Sequence, residues 1–247
     1  MTTTSAPTPA PAPAPARPVP DVTRLRVGVL GGTGPQGRGL AVRLAAAGQR
    51  VLLGSRDAEK CAAVAAEVAG RAAGAAAPSV VVSVTGGANA DVAGAADLVI
   101  VAVPYDGHAE LLADLAGALA AKVVVDCVVP MGWDELGAYV KPVPEGSAAQ
   151  QAAALLPDSH VVGAFHHLSA RLLEDLSHPS LDGDVLVVGD DRASMDLVQA
   201  LAGRLPGMRG IYAGRLRNAA QIEALTVNLV SVNRRYKAHA GIKITDV

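Results

Sequence analysis

The sequence predicts an α/β protein built on a doubly wound parallel sheet, and three observations point there. Short runs too apolar to face water recur between Ala-, Leu- and charge-bearing stretches of helical length, as buried parallel strands require. A glycine cluster, Gly31-Gly32-Thr33-Gly34-Pro35-Gln36-Gly37, joins the first such run to the first helical stretch. Aromatic residues make up only 2% of the 247, so the core must be built from Ala, Val and Leu, which such a sheet can use.

Taken in order, the chain opens on alternating Pro and Ala, MTTTSAPTPAPAPAPARPVP. Proline at every second position forbids helix and sheet ladders, and no apolar segment of a signal peptide is present, so residues 1–21 are expected to be a disordered tail. Leu25–Leu30 reads as the first strand, followed by a helix to Ala47 that Gly48 closes. Arg50–Leu53 is the second strand, 57–69 a helix, Ser79–Val84 the third strand and Asp97–Val103 the fourth. A helix over 106–120 leads to the fifth strand, Lys122–Cys127. Residues 131–147 break the rhythm with Pro and Gly and read as a loop, before a helix over 148–156 and a strand over 160–165. Residues 22–168 are thus expected to form the first domain.

Beyond them, 169–247 is expected to be a smaller α/β domain. It has a strand at 185–188, a helix over 193–204, a short strand near 211 and a last helix over 217–239. That helix aligns Ile222, Leu225, Leu229, Val232 and Tyr236 in one apolar stripe, either core or subunit interface, and a homodimer is expected.

Net charge is −2 with signs mixed, which offers no basic field for nucleic acid and no polybasic run for a membrane surface. No apolar stretch reaches 18 residues, so no membrane span is expected. Cys61 and Cys127 stand far apart without a CxxC, which excludes a disulfide scaffold and a zinc site and fits a reducing, cytoplasmic setting.

Gly32-x-Gly34-x-x-Gly37 fits the dinucleotide fingerprint of the Rossmann-type fold. Gly32 would permit the tight turn, Gly34 the close approach of backbone to pyrophosphate, and Gly37 the packing of helix on strand. The end of the second strand selects the dinucleotide. An NAD site places Asp or Glu there for the ribose 2′-hydroxyl, but here Gly54 occupies the slot and Ser55, Arg56 and, one helical turn on, Lys60 follow. A hydroxyl, a guanidinium and an ammonium suit the 2′-phosphate of NADP(H). Asp57 reads as the cap of the next helix rather than as a ribose ligand.

With these residues in view, GGTGPQGRGLAVRLAAAGQRVLLGSR, the AVP after the fourth strand, the VVP segment, GAFH, VGDD and the closing GIK together resemble the NADPH-dependent coenzyme F-420 (F420) reductases, also called F420-dependent NADP reductases. The likeness runs over nearly the whole chain after the Pro/Ala tail. It implies a Rossmann domain with a small C-terminal domain that supplies the deazaflavin pocket and dimer contacts. The reaction it implies is hydride transfer between C4 of NADP(H) and C5 of an 8-hydroxy-5-deazaflavin, coenzyme F-420. By the same resemblance Thr33, Gly34, Pro35 and Gln36 would wrap the pyrophosphate and Ser55, Arg56 and Lys60 the 2′-phosphate. Tyr105 and Met131 would line the nicotinamide half, Ala170 would flank the cofactor, and His166 would stand at the deazaflavin pocket. Ser169 departs from the proline that members carry nearby.

Hydride transfer between two heterocycles asks the protein to stack rings and exclude water rather than to supply a dense triad, and no catalytic triad, HExxH or paired carboxylates occur at strand ends. His166 and His167 end the sixth strand, where open α/β sheets bind ligands, and either could stabilise charge on a reduced ring. The residues alone leave that choice open; the resemblance assigns His166. Arg234, Arg235, Lys237 and Lys243 could meet an anionic substrate tail or simply complement the end of a helix. Two other activities fit the loop: an NADPH-dependent reductase of a small imine or hydroxyacid, with Asn228 or Lys237 as donor, and a non-catalytic NADPH-binding redox sensor.

Overall fold

A computed structural model describes residues 18–247; of the tail expected over 1–21, residues 1–17 lie outside the described residues. Five parallel strands form the heart of the sheet: β1 (Arg26–Leu30), β2 (Arg50–Ser55), β3 (Ser83–Ala88), β4 (Leu98–Val101) and β5 (Val123–Asp126). Strands β6 (Met131–Asp134) and β7 (Gly137–Val140) form a separate antiparallel hairpin. Strand β8 (His160–Gly163) joins β5 in parallel, β9 (Gly183–Gly189) runs antiparallel to β8, and β10 (Met208–Tyr212) parallel to β9. The order across the sheet is β10-β9-β8-β5-β4-β1-β2-β3. The winding reverses between β1 and β4, the place where sheets of this kind open a ligand crevice beyond their strand ends.

Helices cover both faces, as the uninterrupted apolar strands demand. On one face lie α1 (Pro35–Ala46), α2 (Ala58–Ala75), α6 (Ala170–Glu174) and α7 (Arg192–Ala202), packed through Leu40, Leu44, Val68, Leu173 and Val198. On the other lie α3 (Asn89–Ala95), α4 (His108–Leu119), α5 (Ala148–Leu155) and the start of α8 (Ala219–Tyr236), packed through Val92, Leu112, Leu119, Ala152 and Ile222. The expected boundary at 168/169 falls in the turn after β8, and β9 and β10 continue the same sheet beyond it.

Two expectations are corrected. The third strand is not Ser79–Val84 but Ser83–Ala88. Val81 is 83% exposed, while Val82 and Val84 pack only partly buried against the core. The strand instead uses Gly86, whose missing side chain lets it pass against the Cys61 carbonyl of α2. Residues 131–147 are not a plain loop, because Met131–Val140 form the β6–β7 hairpin. Its turn is made by Asp134, whose Oδ1 accepts from the N–H groups of Leu136 at 2.8 Å and Gly137 at 3.1 Å, and by Gly137 at φ +120°. The stripe on α8 divides as well. Ile222 is buried, whereas Leu225, Val232 and Tyr236 are 39%, 37% and 73% exposed.

Candidate active site at the carboxyl edge of the sheet

The glycine turn lies at the winding reversal. Gly31 carries the positive φ, +76°, and stands against β4's end, where a Cβ would lie 2.6 Å from the Ala102 carbonyl oxygen. The turn residue is therefore Gly31 and not Gly32. Gly32 must be small for a different reason: a Cβ there would meet Leu53 Cδ2 at 2.7 Å and the Val29 oxygen at 2.9 Å. A Cβ on Gly37 would come 2.7 Å from the Gly31 oxygen and 2.9 Å from Gly32 Cα, so its missing side chain lets α1 start against the glycine turn. Gly34 caps α1 with extended backbone, Pro35 follows, and no side chain takes up the helix's first N–H groups. Those donors and the positive end of the helix dipole suit a pyrophosphate.

At the end of β2 the structure explains the missing carboxylate. A Cβ on Gly54 would lie 2.7 Å from Asn89 Oδ1 and 3.1 Å from Leu30 Cδ2. Asn89, 8% exposed with its Oδ1 unpartnered, fills the space an acidic side chain would need. Ser55 beside it is half-buried, and Arg56 and Lys60 are exposed. Asp57 caps α2, accepting from the Lys60 backbone N–H at 2.9 Å, so its carboxylate is engaged with the helix as expected. The sequence reading missed Asn89 because it placed the third strand four residues too early. In the observed register Ala88 pairs with Ser55, which puts Asn89 at the strand end.

The turn after β8 brings the remaining candidates to the same edge. Phe165 is fully buried with φ +66°, a conformation that costs a non-glycine residue energy and is kept only where its surroundings enforce it. Gln36 supplies part of that enforcement, its Nε2 donating to the Phe165 oxygen at 3.1 Å, so this side chain ties the glycine turn to the histidine turn. Below, the buried Arg43 donates to the carbonyls of Leu172, Leu173, Asp175 and His178 at 2.7–2.9 Å and locks α6 onto α1. Ala170 begins α6, with Ser169 as its cap, accepting from Leu172 N at 3.4 Å. Nothing in the sequence pattern singled out Arg43; its only sign was a cation amid the apolar face of a helix.

His166 is 4% exposed and neither ring nitrogen has a partner; burial lowers its pKa to about 4, so the imidazole is neutral. His167 is also buried, but its Nε2 donates to the Asp184 oxygen at 2.8 Å. Tyr105, half-buried, opens the turn after β4, and Met131 starts the hairpin after β5, so both stand at the edge that carries the glycine turn. The C-terminal cations do not form one group. Lys243 pairs with Asp182 at 2.6 Å, while Arg234 and Arg235 end α8 beside Trp133 and Leu136 of the hairpin in an open groove of about 380 Å³.

The geometry joins the glycine turn, the end of β2 with Ser55, Arg56 and Lys60, and a buried unpartnered imidazole along one edge. Among the described residues no group of three or more His, Cys, Asp or Glu could hold a metal, and no helix is long and apolar enough to cross a membrane. Both cysteines are free and buried.

Known proteins match the chain over most of its length. A family profile described as "NADP oxidoreductase coenzyme F420-dependent" matches residues 26–130. The F420-dependent NADP reductase of Methanothermobacter thermautotrophicus is 38% identical over 228 residues, which cover 90% of this chain and 96% of that one. The enzyme of the same name from Methanocaldococcus jannaschii is 36% identical, covering 90% and 99%. A solved structure from Arthrobacter sp. FB24, assigned provisionally to the F420-dependent NADP reductases, superposes with a TM-score of 0.70 at 28% identity and covers 90% of this chain and 99% of that one.

Proposed function

This chain belongs to the F420-dependent NADP reductase family, and on that premise we propose that it is an oxidoreductase moving a hydride directly between NADP(H) and the deazaflavin coenzyme F-420. The observation that carries the cofactor choice is the end of β2. Asn89 excludes a carboxylate at Gly54, while Ser55, Arg56 and Lys60 offer a hydroxyl and two cations to a 2′-phosphate.

The residues divide the work. The backbone from Gly32 to Gly37 receives the pyrophosphate, with Thr33, Gly34, Pro35 and Gln36 around it and the first N–H groups of α1 as donors. Tyr105 and Met131 border the nicotinamide and Ala170 flanks it from α6. His166 stands at the deazaflavin, its neutral ring free at both nitrogens to meet the ring's polar edge. Two-ring hydride transfer gains most from fixed stacking and dryness, and the Gln36–Phe165 and Arg43–α6 bonds supply the rigidity for it. Exposed Leu225, Val232 and Tyr236, which share one face of α8, support a homodimer. Two free buried thiols support a cytoplasmic setting.

NADPH deuterated at C4 tests the reaction itself. Direct transfer delivers deuterium to the deazaflavin carbon with none lost to water. Solvent hydrogen at that carbon would refute a direct hydride.

A further inference from the structure

Three candidate site residues stand on separate connections: Tyr105 after β4, Met131 after β5 and His166 after β8. One buried residue makes bonds toward all three. Asp126 ends β5 and is fully buried. Its Oδ2 lies 2.6 Å from Nε2 of His108, also fully buried, which starts α4 directly after the Tyr105 turn. The Tyr105 and His108 rings stack, with centroids 6.2 Å apart and planes at 28°. Asp126 Oδ1 accepts the Val128 N–H at 3.1 Å, in the segment that leads to Met131. Its backbone oxygen accepts the Ala164 N–H at 3.0 Å, two residues before His166. Burial lowers the His166 pKa to about 4, and the Asp126 charge opposes that shift, so these two groups interact as well.

The pair is itself held from behind. Nδ1 of His108 lies 3.1 Å from Gln151 Oε1, and Gln151 donates its Nε2 to the Glu145 carboxylate at 3.1 Å, which fixes the amide atom that faces the ring. Both imidazole nitrogens therefore face oxygens that accept, and His108 is held as a cation against the Asp126 carboxylate. Burial works to lower its pKa, but the bonds to Asp126 and Gln151 outweigh that and the net shift is upward. Gln151 belongs to α5, and the buried Glu223 reaches from α8 to accept that helix's first N–H groups, Ala148 at 2.9 Å and Ala149 at 3.1 Å. A line of hydrogen bonds thus runs from α8 through α5 and α4 to the end of β5.

Burying such a pair costs desolvation that its attraction only roughly repays, so what it supplies here is fixed geometry. Hydride transfer needs donor and acceptor carbons held about 3–3.5 Å apart, and a misplacement of about 1 Å costs on the order of 100-fold in rate. We propose that Asp126 is a positioning residue for the hydride transfer: through His108 and Val128 its carboxylate sets the gap between the Tyr105 turn and the Met131 segment in which the nicotinamide stacks. The inference rests on the reductase reading above, in which those two residues border the nicotinamide. Neither Asp126 nor His108 bonds to the glycine turn or to the end of β2 among the described residues, so nucleotide affinity stands apart from it.

Single-turnover mixing with saturating NADPH and coenzyme F-420, on wild type, Asp126→Ser and Asp126→Asn, tests it. The serine hydroxyl still reaches the Val128 N–H but is too short for His108. Asp126→Ser is expected to slow deazaflavin bleaching on the order of 100-fold with the Kd for NADPH unchanged. The asparagine rebuilds the bond in neutral form, its amide donating to Nε2 while Nδ1–H donates to Gln151, and is expected to restore most of the rate. A merely structural role would lower Tm and leave the rate per bound nucleotide as in wild type. Bleaching by Asp126→Ser at the wild-type rate would overturn the proposal and leave the reductase reading standing. Equal losses in the serine and asparagine variants, or a loss of NADPH affinity as large as the loss of rate, would overturn it too. Should Asp126→Ser not fold, His108→Leu with Asp126→Ala removes both charges together and is read in the same way. No bleaching by wild type at all would overturn the reductase reading and this proposal with it.

Discussion

Replacing Arg56 with alanine should weaken NADPH binding and leave NADH binding where it is. Arg56 follows the half-buried Ser55 at the end of β2, is exposed, and has no ion-pair partner among the described residues. Its loss therefore removes no hydrogen bond or ion pair among the described residues. A charge-assisted guanidinium–phosphate contact contributes about 1.5–3 kcal/mol, and about 1.4 kcal/mol is tenfold in Kd, so the ceiling is roughly 150-fold. Solvent screening at an exposed site draws the value down, to an expected loss of about 10- to 30-fold near 0.1 M salt that shrinks further at 1 M. Fluorescence titration with NADPH and NADH in parallel reads both constants. Equal weakening of the two, or no change in either, would refute a 2′-phosphate contact and return Arg56 to an ordinary surface cation.

Restoring the acid with Gly54→Asp should not create an NADH enzyme. The new Cβ would meet Asn89 Oδ1 at 2.7 Å, so binding of both nucleotides should fall, and only the double variant with Asn89→Ala should gain NADH affinity. A clean switch by the single variant in the same titration would contradict the packing argument. Arg43→Met leaves four carbonyls, one buried and three partly buried, without their donor, and an expected loss of roughly 3 kcal/mol should appear in denaturant unfolding. A loss under about 1 kcal/mol would mean that α6 does not depend on it. His108 has its folded pKa raised above the ordinary 6.5, so its stabilisation is fully present below that pH and fades as pH rises through the folded value. The Tm deficit of His108→Gln should therefore be largest in acid and narrow as pH rises; a deficit independent of pH would contradict the buried ion pair.

The parallel strands were legible because burial on both faces leaves no polar alternation, and the glycine turn because its spacing answers a steric need. What escaped reading had physical causes. The third strand was placed over its β-branched residues, yet Val81 points to solvent and the sheet takes Gly86 because α2 presses on it. That slip hid Asn89, whose position at a strand end gives it meaning. The hairpin was missed because Pro and Gly in 131–147 outweighed an Asp134–Gly137 turn between short strands. His166 and His167 look alike in sequence, and only packing separates an unpartnered ring from one that donates to Asp184. Arg43, Asp126 and Glu223 belong to no motif, since their roles depend on partners far along the chain.

The most direct test is anaerobic mixing of the protein with coenzyme F-420 and either NADPH or NADH, following the deazaflavin's visible absorbance. Rapid bleaching with NADPH and little or none with NADH is the expected result. Equal bleaching by both would contradict the reading of Gly54, Ser55 and Arg56, and no bleaching by NADPH, with the nucleotide bound, would contradict the hydride transfer itself.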